Sequence, residues 1–218
     1  MKTVKIDIVS DVMCPWCYVG KKHLESALDL VSKAEPDLDV QINWRPFLLD
    51  ATLPKEGKDR QQYLSDKFGS KERAKEIYSN IEQAGSNAGL KFEFDKIKVS
   101  PNTVNAHRLI LWAGNISANT QDTVVTRLFD MFFMEGKNVG DTSVLLEAAK
   151  DAGMNIETLE EKLNSDEDVE HINLQLHEAQ QMGVSGVPFF IFDMKYALSG
   201  AQPPEALAKA IQDLANEA

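Results

Sequence analysis

The chain has 218 residues, of which 43% are hydrophobic and 26% are charged, as in most folded globular proteins. This length favours one domain, or one domain with a large insertion. The net charge of -11 at pH 7 disfavours nucleic acid and anionic membrane surfaces as partners, because both would repel the protein.

The first residues lack the apolar segment of a signal peptide, and the sequence contains no run of about 18 apolar residues. We therefore expect a cytoplasmic protein that does not enter a membrane. Its two cysteines, Cys14 and Cys17, are separated by only two residues. In a reducing compartment such a pair is more often catalytic or metal-binding than structural.

Alternating apolar residues predict a first strand at 4–9, and apolar residues at helical spacing predict a helix at 16–34. Alternation returns at 39–45, which predicts a second strand, parallel to the first in a βαβ unit. The sequence from 53 to 183 is polar and helix-forming, and no strand is expected there. It contains predicted helices at 58–68, 70–88, 102–116, 119–134, 142–152, 156–164 and 166–182.

The C-terminal segment returns to strand character. Residues 189–192 and 196–198 predict a β-hairpin, and apolar residues after Pro204 predict a final amphipathic helix. The predicted order is βαβ, a helical block and ββα, which indicates the α/β class.

The sequence Cys14-Pro15-Trp16-Cys17 lies at the predicted start of the first helix. Unpaired backbone N–H groups and the positive end of the helix dipole would stabilise a thiolate at Cys14. Such a thiolate attacks disulfides, and Cys17, one helical turn later, is suited to resolve the mixed disulfide. Pro15 stiffens the turn, whereas Trp16 adds apolar surface without charge.

Two other uses of the cysteine pair are disfavoured. A zinc site would need two further ligands at suitable spacing, and the sequence has no second cysteine pair. A purely structural disulfide that closes so small a loop would add little stability. The pair therefore favours redox chemistry.

Four segments together resemble the DsbA-like branch of the thioredoxin superfamily, and the FrnE-type proteins in particular. They are SDVMCPWCYVG at 10–20, WRPF at 44–47, NTxxAHR at 102–108 and GVSGVPFF at 183–190. The resemblance implies a thioredoxin fold formed by residues 1–52 and 184–218, with an inserted α-helical domain at 53–183. It also implies dithiol–disulfide exchange as the activity.

The resemblance further implies that the Val187–Pro188 peptide bond is cis and that both residues contact substrate. In such folds the backbone before the cis proline pairs with an extended substrate segment, a form of β-strand addition. Periplasmic DsbA proteins have histidine where this chain has Trp16, so we expect a less stabilised thiolate and a less oxidising couple. Kappa-class glutathione transferases and 2-hydroxychromene-2-carboxylate isomerases are related, but they have serine at the position of Cys14.

Three further residues each have two interpretations. Asp11 either assists proton transfer to Cys17 or caps the turn before the helix, and we favour the cap. His107 either faces the active-site groove or has a packing role, and we favour packing because geometry must support an acid–base assignment. Arg45 either binds a substrate carboxylate or pairs with an acidic residue of the chain.

The favoured function is a protein-disulfide oxidoreductase that acts on disulfide-containing proteins or small thiols. The reductase or isomerase direction is favoured because the cytosol is reducing. This chemistry needs no bound metal or organic cofactor. A second hypothesis is a glutathione-dependent transferase or isomerase, with glutathione as co-substrate. A third, non-enzymatic hypothesis is a holdase that binds polypeptides in a groove of the helical insertion.

Overall fold

The computed structural model describes residues 2–217, and its first elements form the predicted βαβ unit. β1 (Lys2–Ser10) is followed by α1 (Pro15–Ala34) and β2 (Leu38–Pro46). β1 and β2 are parallel along their whole length. The two predicted strands, the helix and the parallel pairing are confirmed.

Seven α-helices lie between β2 and the next strand of the main sheet, counted within residues 2–217. They are α2 (Arg60–Phe68), α3 (Lys71–Asn87), α4 (Val104–Ile116), α5 (Ala118–Phe133), α6 (Thr142–Asp151), α7 (Leu159–Asn164) and α8 (Val169–Gln181). Each corresponds to a predicted helix, and only the starts of α7 and α8 differ from the prediction by three residues. None of the described helices is long and apolar enough to cross a membrane.

The prediction that no strand interrupts this segment is wrong. β3 (Lys58–Asp59) and β4 (Val99–Ser100) form a short antiparallel pair. Two residues are too few to show an alternating pattern, and the partners are distant in sequence, so neither strand has a local signal. The Asp59 carboxylate accepts a hydrogen bond from the Gln62 backbone N–H at 2.9 Å, so α2 begins at Arg60 rather than at residue 58.

The predicted C-terminal hairpin and helix are also present. They are β5 (Phe189–Phe192), β6 (Tyr196–Ser199) and α9 (Pro204–Glu217). The main sheet has the order β2-β1-β5-β6, and β5 is antiparallel to both of its neighbours. A βαβ unit and a ββα unit joined by helices confirm the α/β thioredoxin fold with a helical insertion, while the domain boundaries at 53 and 183 stay a prediction.

The turn of the hairpin has an unusual backbone. Asp193 and Met194 have φ angles of 47° and 57°, and the Lys195 N–H donates to the Phe192 carbonyl at 2.9 Å. Positive φ at both central residues defines a type I′ turn, whose twist matches that of the strands. The Asp193 carboxylate also accepts a hydrogen bond from the Lys5 backbone N–H at 2.8 Å, which ties the turn to β1.

The two faces of β1 pack against different layers, because successive side chains point to opposite sides of a strand. Val4, Ile6 and Ile8 are buried in the main core, which includes apolar residues of α1 and α9. Val9 belongs to a smaller cluster with Ala179 of α8. The end of β1 that precedes the cysteines is therefore covered on both faces.

The two ends of the described chain lie together at the opposite end of the sheet. The Lys2 ammonium donates to the Ala215 carbonyl oxygen in α9 at 2.7 Å. β1 runs from Lys2 to Ser10, so the length of this strand separates the chain ends from Cys14.

Candidate active site

The cysteine pair lies at the junction of β1 and α1. Cys14 is the N-cap residue of α1, with φ of -92° and ψ of 111°, and Pro15 occupies the first helical position. The Cys14 N–H donates to the Asp11 carbonyl at 2.9 Å, and the Cys17 N–H donates to the Cys14 carbonyl at 3.0 Å. Cys14 therefore lies at the positive end of a 20-residue helix, beside backbone N–H groups that have no partner within the helix.

Both cysteines are free thiols and both are buried, Cys14 with 4% and Cys17 with 1% of its surface exposed. Cys17 is almost fully buried, and burial above all raises the pKa of its thiol. A hydrogen bond with Cys14 and a negative charge there raise the Cys17 pKa further, whereas the nearby Ser10 hydroxyl lowers it. Cys17 is therefore a neutral thiol at neutral pH, held behind Cys14.

The Val187–Pro188 peptide bond is cis, as the resemblance implied. The Cys14 thiol donates to the Val187 carbonyl oxygen, with 3.6 Å between sulfur and oxygen. Val187 is half-buried and Pro188 is buried, and Trp16 is 39% exposed. The backbone carbonyl of a half-buried residue thus borders the Cys14 sulfur, and an exposed indole lies two residues along the chain.

Gly20 lies in α1 beneath the cis proline, a contact that sequence reasoning missed. A Cβ atom at this position would be 2.8 Å from Pro188 Cγ and 3.3 Å from Phe190 Cζ. Real Cβ atoms do not approach carbon so closely, so glycine allows α1 and the Pro188 loop to touch. The sequence did contain a signal for this contact, because glycine is less favourable than alanine in a helix interior and its presence there indicates a close approach.

Asp11 is fully buried, and both of its carboxylate oxygens accept backbone hydrogen bonds. Oδ1 accepts from the Met13 N–H at 3.3 Å, and Oδ2 accepts from the Leu49 N–H at 2.8 Å. The side chain therefore joins the turn before α1 to the loop after β2. This geometry favours the capping interpretation over proton transfer to Cys17.

His107 lies on the buried side of this turn. Its Nε2 is 2.9 Å from the Phe47 carbonyl oxygen and 3.7 Å from Asp11 Oδ1. The carbonyl fixes Nε2 as the protonated nitrogen, because an acceptor needs a donor opposite it. These contacts agree with a packing role that holds the loop after β2 in position.

Arg45 pairs with acidic residues of the chain. Its Nε is 3.0 Å from Asp7 Oδ1, and its Nη1 is 3.3 Å from Glu178 Oε2. The guanidinium thus joins β1, β2 and α8, which agrees with the internal ion pair rather than with a substrate carboxylate site.

No group of three or more His, Cys, Asp or Glu side chains within residues 2–217 is arranged to hold a metal ion. The residues that the structure brings together at the cysteines are those of the four recognised segments. They come from the ends of β1 and β2, the start of α4 and the loop before β5.

The sequence profile of the DSBA-like thioredoxin domain matches residues 5–212. The chain belongs to this family. The structure is similar to that of a probable DsbA oxidoreductase, SCO1869, from Streptomyces coelicolor, which is 29% identical in sequence. That structure has a TM-score of 0.87, with 99% of this chain and 91% of that chain covered.

Two further proteins are similar to this chain, one in sequence and one in structure. The uncharacterized protein YwbO from Bacillus subtilis (strain 168) is 26% identical in an alignment 217 positions long, which covers 97% of this chain and 97% of YwbO. The cytosolic disulfide reductase DsbM from Pseudomonas aeruginosa, solved with GSH, has a TM-score of 0.66 and 15% identity. The superposition covers 97% of this chain and 99% of DsbM, and at this identity it shows a shared fold alone.

Proposed function

We propose that the protein is a thiol–disulfide oxidoreductase in which Cys14 is the nucleophile and Cys17 the resolving thiol. The observation that supports this most is the asymmetry of the pair. Cys14 caps a helix N-terminus next to the Val187 carbonyl, whereas Cys17 lies within the first turn of the helix and has a raised thiol pKa. Cys14 is thus suited to attack a substrate, and Cys17 is suited to react only after the mixed disulfide has formed.

In the first step the Cys14 thiolate attacks one sulfur of a substrate disulfide. A bond forms between Cys14 and that sulfur, the substrate S–S bond breaks, and the other substrate sulfur leaves as a thiolate that takes up a proton. Cys14 is then part of an uncharged disulfide. The negative charge at Cys14, one of the causes that raise the Cys17 pKa, is thereby removed, the hydrogen bond that the Cys17 thiol donates there is weakened, and burial remains.

In the second step Cys17 loses its proton and attacks the sulfur of Cys14. The mixed disulfide breaks, the second substrate sulfur leaves as a thiol, and the Cys14–Cys17 disulfide forms. The substrate gains two electrons and two protons: the protein supplies both electrons and the proton of Cys17, and the solvent supplies the other proton. A small thiol or a second protein dithiol then has to reduce the Cys14–Cys17 disulfide.

The Val187 carbonyl is the proposed contact for the substrate backbone. It lies 3.6 Å from the Cys14 sulfur, so a strand that pairs with it would bring a disulfide to the nucleophile. Exposed Trp16 offers an apolar contact at the same place. Disulfide-containing polypeptides or small disulfides are the proposed substrates.

The reductase or isomerase direction is part of the proposal, together with a cytoplasmic location. Trp16 has no charge with which to stabilise the reduced state, and the reducing cytosol would keep the pair reduced. DsbM, a structural neighbour, is a cytosolic disulfide reductase. No bound cofactor is proposed.

The reduction potential of the Cys14–Cys17 pair tests this function. The protein is equilibrated against a glutathione redox series, and the fluorescence of Trp16 reports the change. We expect a two-electron transition between about -270 and -120 mV, the span of catalytic dithiols. Absence of any disulfide across the series would contradict the proposal, and Cys14→Ser provides the baseline without a transition.

A glutathione-dependent transferase or isomerase is the second candidate, and the structural likeness to DsbM solved with GSH favours considering it. This activity would use glutathione as co-substrate with Cys14 at the sulfur site. It predicts glutathione-dependent turnover that survives Cys17→Ser, whereas dithiol exchange predicts its loss.

A further inference from the structure

His23 lies in α1 and joins this helix to the loop between β6 and α9. Its Nδ1 is 2.9 Å from the backbone carbonyl oxygen of Gln202, which follows 179 positions later in the chain. Because a carbonyl oxygen can only accept a hydrogen bond, Nδ1 carries a proton and donates it. The side chain is half-buried, so this hydrogen bond is a tertiary contact between two distant parts of the sequence.

The loop that His23 contacts is closed by hydrogen bonds of its own. The Gln202 backbone N–H donates to the Gly200 carbonyl at 2.8 Å, and the Gln202 side-chain amide donates to the Ser199 carbonyl at 2.7 Å. Gly200 has a φ of 82°, a conformation that glycine adopts without strain. Residues 199–202 therefore form a compact loop, and a displacement of Gln202 would move Gly200 with it.

This loop holds the backbone of Pro188. The Gly200 N–H donates to the Pro188 carbonyl oxygen at 2.8 Å, next to the pairing of Ser199 with β5. The preceding carbonyl, that of Val187, lies 3.6 Å from the Cys14 sulfur. Consecutive hydrogen bonds thus connect His23, through the loop, with the residue that follows Val187.

α1 touches Pro188 at a second place, because a Cβ atom at Gly20 would be 2.8 Å from Pro188 Cγ. Gly20 and His23 are three residues apart, so they lie on the same face of the helix. The contact at Gly20 limits how closely the Pro188 segment can approach α1, whereas the hydrogen bond of His23 limits how far it can move away. The two contacts together fix the Val187 carbonyl relative to Cys14, which caps the same helix.

We propose that His23 is a positioning residue that holds the Val187 carbonyl where it can pair with the backbone of a polypeptide substrate. This proposal rests on the proposed function, and it deepens it by distinguishing two classes of substrate. A polypeptide disulfide would use both Cys14 and the Val187 carbonyl. A small disulfide without peptide bonds would use Cys14 alone, so its reaction does not depend on His23.

The test compares His23→Leu with the parent in single-turnover reactions of the pre-reduced protein, followed by the fluorescence of Trp16. One substrate is a short cysteine peptide in mixed disulfide with 2-mercaptoethanol, and the other is bis(2-hydroxyethyl) disulfide. For the peptide, the half-saturating concentration should rise about fivefold, as expected for the loss of one backbone hydrogen bond. Its limiting rate should not change, because this contact is equally strong in the bound state and in the transition state. The rate constant for bis(2-hydroxyethyl) disulfide should also stay the same.

His23→Asn should restore the half-saturating concentration of the parent. The side-chain nitrogen of asparagine is bonded to Cγ, as Nδ1 of histidine is, so it can donate to the same carbonyl. His171→Leu is the matched control, because it makes the same substitution at an exposed histidine that contacts Gln175 of its own helix at 2.8 Å. Both substrates should react with this control as they do with the parent.

Three results would overturn the proposal. They are an unchanged half-saturating concentration of the peptide with His23→Leu, an equal loss for both substrates, and a His23→Asn variant that behaves like His23→Leu. If circular dichroism shows that His23→Leu is unfolded, Gln202→Ala decides instead, because it removes the hydrogen bond to Ser199 that closes the loop. A rise in the half-saturating concentration of the peptide alone supports the proposal, and an unchanged value overturns it.

The two proposals fail in different ways. If the unmodified protein forms no Cys14–Cys17 disulfide in the glutathione series, the proposed function fails. If it does, and His23→Leu reacts with the peptide as the parent does, only the role of His23 fails.

Discussion

At the scale of single residues, Gly20 controls how closely α1 approaches the loop of Pro188. Gly20→Ala would bring a methyl group to 2.8 Å from Pro188 Cγ, so the loop and the Val187 carbonyl must move away from Cys14. We expect disulfide-exchange activity to fall about tenfold or more, since small misplacements in an active site are costly. Stability should fall by only about 1 to 2 kcal/mol, because the helix propensity of alanine partly offsets the overpacking.

Gly186→Ala is the control for this substitution. It adds a methyl group to the same loop, where a Cβ atom would meet nothing within 4 Å. Insulin reduction measures the activity of both variants, and urea unfolding measures their stability. If Gly186→Ala reduces activity as much as Gly20→Ala does, the contact with Pro188 is not the cause.

The raised pKa of Cys17 predicts a pH-dependent second step. Because this thiol is neutral at pH 7, the fraction that can attack the mixed disulfide should rise about tenfold per pH unit until its pKa is reached. Stopped-flow measurement of substrate release between pH 6 and 8 would show this slope. A flat profile would indicate that Cys17 is already ionised. Cys17→Ser should leave the mixed disulfide in place, which mass spectrometry detects.

Sequence reasoning identified the cysteines because a two-residue spacing at a helix start has a direct chemical meaning. Asp11 and Arg45 also drew attention, but their partners Leu49 and Glu178 are distant in sequence and have no pattern of their own. The burial of Arg60 in α2 had no signal in the sequence, because a cation in a polar helix is ordinarily exposed.

At the scale of elements, the hairpin turn contains a residue in an unfavourable conformation. Met194 has a φ of 57°, a region that asparagine and glycine tolerate better than methionine, and it is 63% exposed. Met194→Asn should stabilise the protein by about 0.5 to 1 kcal/mol, or about 1 to 4 °C in Tm.

Calorimetry on Met194→Asn and Lys195→Asn distinguishes this cause from a general effect of asparagine. Lys195 follows in the same turn and has no positive φ. An equal rise in Tm for both variants would refute the backbone explanation.

The helices were predictable to within a few residues, because their apolar spacing and caps are local. Ser70, for example, was a predicted helix start and does accept a hydrogen bond from the Arg73 N–H. The β3–β4 pair was missed because pairing between two-residue strands depends on tertiary structure. The hairpin turn was found, but its type I′ geometry was not evident from Asp193 and Met194, which lack glycine.

At the scale of the whole molecule, an ion-pair network joins α5 to α6. Arg127 Nε is 2.7 Å from Asp151 Oδ2, and the guanidinium also contacts Glu147 and Glu135. Lys137 pairs with Glu135 at 2.8 Å and with Glu147 at 2.7 Å. These hydrogen bonds, first that of Arg127 and then that of Lys137, lower the Glu135 pKa.

A lowered carboxylate pKa stabilises the fold at pH values above the pKa of the unfolded chain. This stabilisation is lost as the pH falls through the pKa of the folded state, which is the lower of the two pKa values. Glu135→Gln should therefore reduce stability at pH 7 by about 0.5 to 1 kcal/mol, as expected for a partly exposed network. At a pH well below 4.5, the ordinary value, the variant and the parent should converge, because both side chains are then uncharged.

Urea unfolding at both pH values tests this, with Glu160→Gln as the control. Glu160 is exposed and has no ion pair within 4.0 Å among the described residues. If Glu135→Gln is less stable than the parent by the same amount at pH 7 and at acid pH, the loss of stability does not come from the charge of Glu135.

The hydrogen bond between Lys2 and Ala215 also indicates that the chain could be circularly permuted. Because the ends lie together and away from Cys14, a short linker should join them without disturbing the site. New ends could then be opened in an exposed loop such as that at Gly153, where a Cβ atom would meet nothing within 4 Å. A circular permutant of this kind should still form the Cys14–Cys17 disulfide, and so should each of two copies fused end to end.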